Sequence, residues 1–516
     1  MNRLTSILAG ACLLVSASLN AQDAIVRIHD AGTGVTIPAE IYGQFSEHLG
    51  RCIYGGLWVG KDSKVPNIEG YRADVFNALK ALKVPVMRWP GGCFADDYHW
   101  MDGIGPQEKR AYISNNNWGG TLEDNSFGTH EFLNLCEMLG IEPYISGNVG
   151  SGSVEEMAKW VEYMTSDQKS TMADLRRANG REKPWKVKYF GIGNEAWGCG
   201  GSMTPEYYSD LYRRYSTYLR NYDGNNLYKI ASGASENDVN WTEVLMKNIG
   251  NRMKGISLHY YTVPGWRGSK GSATQFTEKE YYNLLAKTIE IEDVLKMHID
   301  VMDKVDPQGT VDLLLDEWGT WYDVEPGTNP GHLYQQNTMR DAIVAALNFD
   351  IFHKYTRRLK MANIAQVVNV LQSMILTNET EMVLTPTYHV FEMYNVHQNA
   401  EFIESEVLSL KKGTDRRTSV PEVDATVSRK DGQMHISLVN TDLKNAKKVL
   451  VNFDDASAVS KVLSARVLTS GDVHDYNDFG ANATKVAPAA FKDYKVTKSG
   501  IEITLPACSI VAISAK

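Results

Sequence analysis

The chain of 516 residues is 43% hydrophobic and 22% charged, with a formal net charge of −9. That length exceeds what one compact core usually serves, so we expect two domains. An acidic chain without a basic stripe argues against a nucleic-acid partner and suits a neutral substrate. Beyond the N-terminal segment, no apolar stretch approaches the length of a membrane-spanning helix, so we expect no membrane span.

The first 21 residues show the order of regions found in an export signal. Arg3 supplies the basic region, a mostly apolar run extends from Leu4 to Leu19, and small residues lead to a cleavage point after Ala21. A buried N-terminal helix is the alternative, and the order of the three regions disfavours it. The sequence therefore predicts a signal peptide over residues 1–21 and an exported protein, periplasmic or secreted.

Export permits disulfides without requiring them. Five cysteines follow the predicted signal peptide, an odd number at wide spacing: Cys52, Cys93, Cys136, Cys199 and Cys508. One disulfide with free buried thiols is compatible with this set, and the sequence does not select the pair.

Apolar runs that resemble β-strands alternate with helical segments between about residues 39 and 395. Helix starts are marked by a capping box at Ser153–Glu156 and by Thr204 before Pro205, and one long helix is predicted over Tyr334–Lys354. Strand–helix alternation repeated eight times predicts a (β/α)8 TIM barrel, with its active site at the C-terminal ends of the strands. The eight predicted strands are Ile41–Phe45, Val84–Trp89, Ile141–Ser146, Val187–Asn194, Tyr228–Gly233, Gly255–Tyr260, Val311–Glu317 and Met361–Val368.

After about residue 396 the pattern changes to short alternating runs separated by turn residues such as Asp431-Gly432. This pattern is typical of antiparallel strands, and we expect a jelly-roll-like β-sandwich over residues 396–516. Residues 22–38 are expected to add one or more strands to it.

Two acidic residues stand at predicted strand ends, Glu195 after the fourth strand and Glu317 after the seventh. Singly, each has an ordinary alternative: Glu195 as the partner of an arginine, and Glu317 in a first helical turn capped by Asp316. Strand alternation would send Asp316 and Glu317 to opposite sides. In the fourth strand it would place Gly191 and Gly193 on the same side as an inward-facing Glu195, and their missing side chains would leave space for a ligand. Taken together in one barrel mouth, the two glutamates predict acid/base and nucleophilic chemistry on a glycosidic bond.

A metal or other cofactor is not expected. His130-Glu131 begins a zinc-hydrolase pattern, but Asn134 stands where the second histidine would be. His259, at the end of the sixth predicted strand, is equally compatible with a core position and with the pocket.

Several ordered motifs make the chain resemble glycoside hydrolase family 51, whose members combine a (β/α)8 barrel with a C-terminal β-sandwich. The matching segments include SEHLGRCIY from Ser46, RWPGGCFADDYHWMDGIGP from Arg88, YFGIGNE from Tyr189, SLHYY from Ser257, DEWGTWY from Asp316 and MANIAQVVNV from Met361. The resemblance implies a retaining, exo-acting α-L-arabinofuranosidase acting on arabinan and arabinoxylan side chains.

The resemblance also implies roles for individual residues. Glu195 would be the acid/base and Glu317 the nucleophile. The implied substrate-binding and orienting residues are Glu47, Arg88, Cys93, Asn194, His259, Tyr261 and Gln366. Many members of the family have asparagine at the position of Cys93, and because a thiol is a weaker donor and acceptor than an amide, this contact with the sugar is in question.

Other interpretations stay open at this level. A β-xylosidase or endoglucanase of the same clan would use the same acid pair, and a non-catalytic carbohydrate-binding protein could retain the same fold. The pair of glutamates favours an enzyme. The expected partners are arabinose-containing saccharides of the plant cell wall, and a homo-oligomer is our expectation for the assembly.

Overall fold

The computed structural model describes residues 22–29, 31–454, 459–498 and 500–516. The predicted signal peptide, residues 1–21, lies outside the described residues. The described chain forms a closed barrel of eight parallel strands and two further sheets packed as a sandwich. The predicted fold class, a TIM barrel with a C-terminal β-sandwich, is confirmed.

Each strand of the barrel overlaps one of the eight runs identified in the sequence. In chain order the barrel strands are Gly43–Phe45, Val86–Trp89, Glu142–Gly147, Tyr189–Ile192, Tyr228–Ser235, Gly255–Thr262, Asp312–Thr320 and Leu359–Ala365. The eighth strand pairs in parallel with the first and closes the ring. A layer of apolar and aromatic side chains fills the barrel interior beneath the site, formed by Val86, Tyr144, Tyr189, Ile230, Leu314 and Met361.

Helices follow the strands and cover the outside of the barrel. The α-helices are Ala73–Leu82, Thr129–Leu139, Val154–Thr165, Thr171–Ala178, Pro205–Tyr218, Val239–Ile249, Glu278–Val305, Met339–Lys354 and Pro386–Tyr394. Ser153 and Thr204 accept N-terminal backbone N–H groups of their helices, as the sequence signals indicated. No helix of the described residues is both long and apolar enough to cross a membrane.

The predicted long helix over residues 334–354 begins later, at Met339, where Thr338 and Asp341 form a capping box. The preceding segment instead contacts the end of the seventh barrel strand, since Gln335 accepts the backbone N–H of Tyr322 at 2.9 Å. Gln335, Gln336, Asn337 and Thr338 are buried polar residues, and a local helix pattern does not reveal their contacts with distant segments.

The sandwich contains a five-stranded and a six-stranded sheet. Ala24–Ile28 lies inside the five-stranded sheet, antiparallel to Ser405–Ser409 and parallel to Lys447–Phe453. The remaining strands of that sheet are Gly500–Leu505 and Tyr494–Thr497. The six-stranded sheet contains, in spatial order, Glu401–Phe402, Val423–Lys430, Gln433–Asn440, Ser509–Ala515, Val462–Thr469 and Ala489–Ala490.

The sandwich has its own apolar core, and it also touches the barrel. Val26, Val427, Val449 and Ile513 are among the fully buried members of that core. At the boundary, Met339 donates its backbone N–H to the carbonyl of Asp475 at 2.9 Å. This contact ties the start of a barrel helix to the sandwich.

Candidate active site

The acidic residues singled out from the sequence meet at the C-terminal mouth of the barrel. Glu317 lies within the seventh strand and Glu195 three residues beyond the fourth. An oxygen of Glu195 and an oxygen of Glu317 lie within 4.8 Å of each other. Carboxyl groups about 5–5.5 Å apart are typical of retaining glycosidases, whereas inverting enzymes keep a wider gap of roughly 6.5–9.5 Å.

Glu317 is held by three side chains. Arg88 donates to its Oε1 at 2.9 Å and Tyr261 donates to its Oε2 at 2.8 Å, while His259 Nδ1 lies 3.5 Å from the same Oε2. Burial raises the pKa of Glu317 above its ordinary value and Glu195 adds to the rise, whereas His259 and Arg88 act in the opposite direction. The two cations thus favour the ionised carboxylate that a nucleophile needs.

Glu195 is the more accessible of the two acids, with 19% of its side chain exposed against 6% for Glu317. Its Oε1 lies 2.8 Å from His259 Nδ1. Its backbone has φ +40°, in the left-handed region that non-glycine residues rarely adopt. This conformation turns the chain sharply after the strand and directs the Glu195 carboxylate toward Glu317.

Arg88 connects the second strand with several parts of the site. Besides Glu317, it donates to Asn194 Oδ1 at 2.5 Å, and its Nε lies 3.5 Å from Asp316 Oδ2. Burial alone would lower the pKa of Arg88, but Asp316 and Glu317 outweigh burial and raise it. Arg88 is therefore a permanent cation that fixes Asn194 and Glu317 relative to each other.

Asp316 was predicted to face away from Glu317, with a helix cap as the alternative, and the structure shows neither arrangement. It is a buried strand residue that accepts from Tyr144 Oη at 2.7 Å and lies 2.9 Å from His259 Nε2. The ladder on each side of the seventh strand shifts register near this point, which breaks the simple alternation and lets both acids contact His259 and Arg88. Arg88 and His259 outweigh the effect of burial and hold the pKa of Asp316 below its ordinary value.

The space expected beside the glycines of the fourth strand is occupied by protein. A Cβ on Gly191 would lie 3.0 Å from the ring of Tyr144, and one on Gly193 would lie 2.5 Å from Val149. These glycines therefore admit neighbouring side chains and leave no space for a ligand.

Glu47 and Gln366 form the opposite wall, after the first and eighth strands. Glu47 accepts from Phe94 N, Trp118 Nε1 and Gln366 Nε2 at 2.9–3.0 Å. Burial, with repulsion from Glu317, raises the pKa of Glu47 to about 7. Gln366 Oε1 is buried and has no hydrogen-bond partner among the described residues, so it offers an acceptor to a ligand hydroxyl.

Cys93 is bonded to Cys199 in a disulfide, and the other described cysteines are free and buried. The sequence did not select this pair. A disulfide sulfur has no proton to donate, so Cys93 does not supply the weak thiol donor considered from the sequence.

Some residues of the site were not found from the sequence. Trp118 reaches Glu47 from a loop hairpin, and Asp96 accepts three backbone N–H groups from the loops after the third and fourth strands. Burial raises the pKa of Asp96 to about 7 although those N–H groups lower it. The acidic pair Asp96-Asp97 in the segment after the second strand was the available signal for Asp96, whereas nothing local marked Trp118.

Among the described residues, two groups could hold a metal ion by spacing, and both include Glu195. One adds His259 and Glu317; the other adds the two disulfide-bonded cysteines. The zinc-hydrolase pattern near residue 130 belongs to a helix, where His130 contacts Tyr163 and Asn134 accepts from Trp185. The expectation of metal-free activity stays a prediction.

Comparisons with known proteins identify the family of this chain. Two family models match, the Alpha-L-arabinofuranosidase 1 domain over residues 78–282 and the Alpha-L-arabinofuranosidase C-terminal domain over residues 316–509. A Bacteroides ovatus protein named intracellular exo-alpha-L-arabinofuranosidase is 63% identical over 510 residues, 98% of each chain.

Solved structures give the same result. The GH51 arabinofuranosidase from Xanthomonas axonopodis pv. citri has a TM-score of 0.94 and 46% identity, covering 96% of this chain and 100% of that one. The alpha-L-arabinofuranosidase from Thermotoga maritima in complex with arabinose has a TM-score of 0.80 and 30% identity, covering 95% and 99%.

The prediction of export is wrong. The Bacteroides ovatus relative matches almost the whole chain and is named an intracellular protein. The prediction of a periplasmic or secreted protein depended on the order of basic, apolar and small residues in the first 21 positions. This order is a pattern of residue types, and such a pattern alone does not establish that a segment is recognised for export.

Proposed function

This chain belongs to the α-L-arabinofuranosidases of glycoside hydrolase family 51, and we propose that it releases terminal non-reducing α-L-arabinofuranosyl residues from arabinan- and arabinoxylan-type saccharides by double displacement. The observation that carries the proposal is the pair Glu195 and Glu317, with oxygens within 4.8 Å, beside Arg88, His259 and Tyr261. That spacing leaves room for a sugar carbon between the two acids and no room for an additional water.

In the first step, Glu317 attacks the anomeric carbon while Glu195 donates its proton to the departing glycosidic oxygen. A covalent glycosyl-enzyme forms and the alcohol leaves. In the second step, Glu195 takes a proton from water, the water attacks the same carbon, and Glu317 is released as a carboxylate. Arg88 and Tyr261 each hold one oxygen of Glu317, so the carboxylate needs little reorientation before attack.

The sugar hydroxyls meet polar groups already fixed by protein contacts. The free carbonyl of Gln366 and the carboxylate of Glu47 face them from one wall, and the amide of Asn194 faces them from the other. Asn194 accepts from Arg88 through Oδ1, and its Nδ2 lies 3.9 Å from the Cys199 sulfur. These groups would let the site discriminate among pentoses, because a sugar whose hydroxyl does not reach a buried polar group leaves that group without a hydrogen-bond partner, which costs free energy.

We place the protein inside the cell, as the Bacteroides ovatus relative is named. Arabinose-containing saccharides of plant cell walls then reach it as imported oligosaccharides, because polymers do not cross the membrane intact. The assembly we propose is a homo-oligomer.

The test separates the roles of the two glutamates. Glu195→Ala and Glu317→Ala are assayed on an aryl α-L-arabinofuranoside with and without azide, and Glu243→Gln on the surface of helix Val239–Ile249 is the control. Azide needs no base, so the Glu195 variant should recover turnover and give a glycosyl azide of retained configuration. The Glu317 variant should give only an inverted azide.

The opposite stereochemistry would reverse the assignment. The wild-type protein is also assayed on aryl β-xylopyranoside and β-glucopyranoside. Faster hydrolysis of either than of the arabinofuranoside would instead favour a β-xylosidase or glucanase, and no hydrolysis of any would favour a carbohydrate-binding protein.

A further inference from the structure

A disulfide stands at the mouth of the site, between Cys93 and Cys199, which are 106 residues apart in sequence with Cα atoms 5.5 Å apart. Cys93 begins the short helix Cys93–Asp96 after the second strand, and Cys199 lies in the turn after Glu195. Cys199 is exposed and Cys93 half-buried. Dissolved thiols can therefore reach the bond.

Both sulfurs contact the acid/base carboxylate. Glu195 Oε2 lies 3.4 Å from the Cys199 sulfur and 3.8 Å from the Cys93 sulfur. The other oxygen, Oε1, lies 2.8 Å from His259 Nδ1. The carboxylate of Glu195 is thus held between an imidazole on one side and the disulfide on the other.

The segment that carries Glu195 is a turn that the disulfide fastens at its far end. The carbonyl of Glu195 accepts backbone N–H groups from Gly198 at 2.7 Å and Gly200 at 3.1 Å, and Cys199 lies between these two. The left-handed φ of Glu195 disfavours this conformation for a free chain. A covalent bond to Cys93 at this point keeps the turn closed.

The disulfide is not needed to hold the two loops together. Asp96, at the other end of the Cys93–Asp96 helix, accepts the backbone N–H of Asn194 at 2.9 Å. A Cβ on Gly200 would lie 2.8 Å from Asp96 Oδ2, so these loops are closely packed. The effect of opening the disulfide should therefore be local to Glu195.

We propose that the Cys93–Cys199 disulfide is a positioning element for Glu195, so that reduction of this bond weakens proton transfer to the leaving group while leaving the nucleophilic step largely intact. The proposal rests on the proposed function of Glu195. A dithiol breaks the S–S bond with two electrons, becomes a disulfide itself, and leaves one proton on each sulfur. Because the Bacteroides ovatus relative is named intracellular, and cells keep accessible thiols reduced, both forms of the site are chemically relevant.

Leaving groups report the proton transfer selectively. A well-placed general acid contributes about 10²–10⁴-fold, and a substrate whose leaving group departs without a proton does not use that contribution. Displacement of the Glu195 carboxylate should therefore slow the hydrolysis of substrates whose leaving groups have a high pKa. Substrates whose leaving groups have a low pKa should be affected little. A general loss of structure would slow both equally.

The experiment compares wild-type protein, Cys199→Ala and Cys93→Ala/Cys199→Ala on a series of aryl α-L-arabinofuranosides, from dinitrophenyl to unsubstituted phenyl. Cys199→Ala retains the Cys93 sulfur, so a direct contact of that sulfur with the sugar is tested separately through KM. Cys136→Ala, a buried thiol on helix Thr129–Leu139, is the matched control.

We expect kcat/KM on the phenyl substrate to fall at least about tenfold and kcat/KM on the dinitrophenyl substrate to change less than about threefold, giving a steeper dependence of kcat/KM on leaving-group pKa. Dithiothreitol should expose two titratable thiols in the wild-type protein and produce the same change, reversed on reoxidation. It should do nothing to the double variant, while Cys136→Ala should respond like wild type.

An unchanged leaving-group dependence of kcat/KM, or an equal loss of kcat/KM on every substrate, would overturn the proposal. Failure of the underlying function would look different, because the wild-type protein would then release no arabinose from any member of the series.

Discussion

Replacement of His259 by glutamine should move the acidic limb of the pH dependence of kcat/KM to higher pH. His259 lies in the sixth strand, with Nε2 2.9 Å from Asp316 and Nδ1 3.5 Å from Glu317. Burial lowers its pKa, but Glu317 and Asp316 outweigh burial and raise the pKa to about 10. The imidazole is therefore a cation at neutral pH. Glutamine keeps hydrogen-bonding capacity and removes the charge.

The size of the effect follows from the distance between His259 and Glu317. Two unit charges 3.5 Å apart interact by about 4.7 kcal/mol at an effective dielectric constant of about 20. At about 1.4 kcal/mol for each pH unit, this sets a ceiling of roughly 3 pH units. Reorganisation and solvent around the new side chain reduce the effect, and we expect about 1–2 pH units.

The sign follows from the charge. His259 as a cation lowers the pKa of Glu317, so its removal raises that pKa, and the ionised nucleophile is lost at a higher pH as the solution is acidified. On acidification, kcat/KM of the variant should thus begin to fall at a higher pH than kcat/KM of the wild-type protein.

The assay is kcat/KM on one aryl α-L-arabinofuranoside from pH 4 to 9. His298→Gln is the control. His298 is buried, with its ring nitrogens bonded to Thr242 Oγ1 and to the carbonyl of Glu236. Burial lowers its pKa, so this histidine is neutral and its replacement removes no charge. An acidic limb that stays in place in His259→Gln, or moves to lower pH, would refute the reasoning and indicate a neutral His259.

Three further predictions concern positioning and cofactor. Asp96→Ala removes the acceptor of three backbone N–H groups that now lie 2.7–3.0 Å from its carboxylate. Because each unsatisfied buried N–H costs about 1–3 kcal/mol, the variant should be less stable by about 3 kcal/mol or more, measured as a lower denaturation midpoint. Gly92→Ala places a Cβ 2.6 Å from an oxygen of Glu47 and should raise KM about tenfold, whereas Gly471→Ala, with open space around it, should not. Activity should persist in excess chelator, and a loss restored by one added metal would contradict the two-carboxylate mechanism.

The fold could be predicted from the sequence because its signals are local. A buried parallel strand is a short apolar run, a helix start is a capping residue, and neither depends on residues far along the chain. Eight such alternations allow few architectures. The same reasoning located Glu195 and Glu317, since a barrel brings the C-terminal ends of all its strands to one mouth.

Contacts between distant segments were decided by the tertiary structure. The position of Asp316 depends on register shifts of the seventh strand against both of its neighbours. The alternation of side chains along a single strand does not predict such shifts. Cys93 can pair with Cys199 only because the loops after the second and fourth barrel strands lie next to each other. Residues 334–338 were predicted as part of a helix, but Gln335 contacts Thr320 of the seventh strand. Periodicity is a property of one segment, whereas register, disulfide pairing and the burial of a connecting segment are set by neighbours that only the closed barrel supplies.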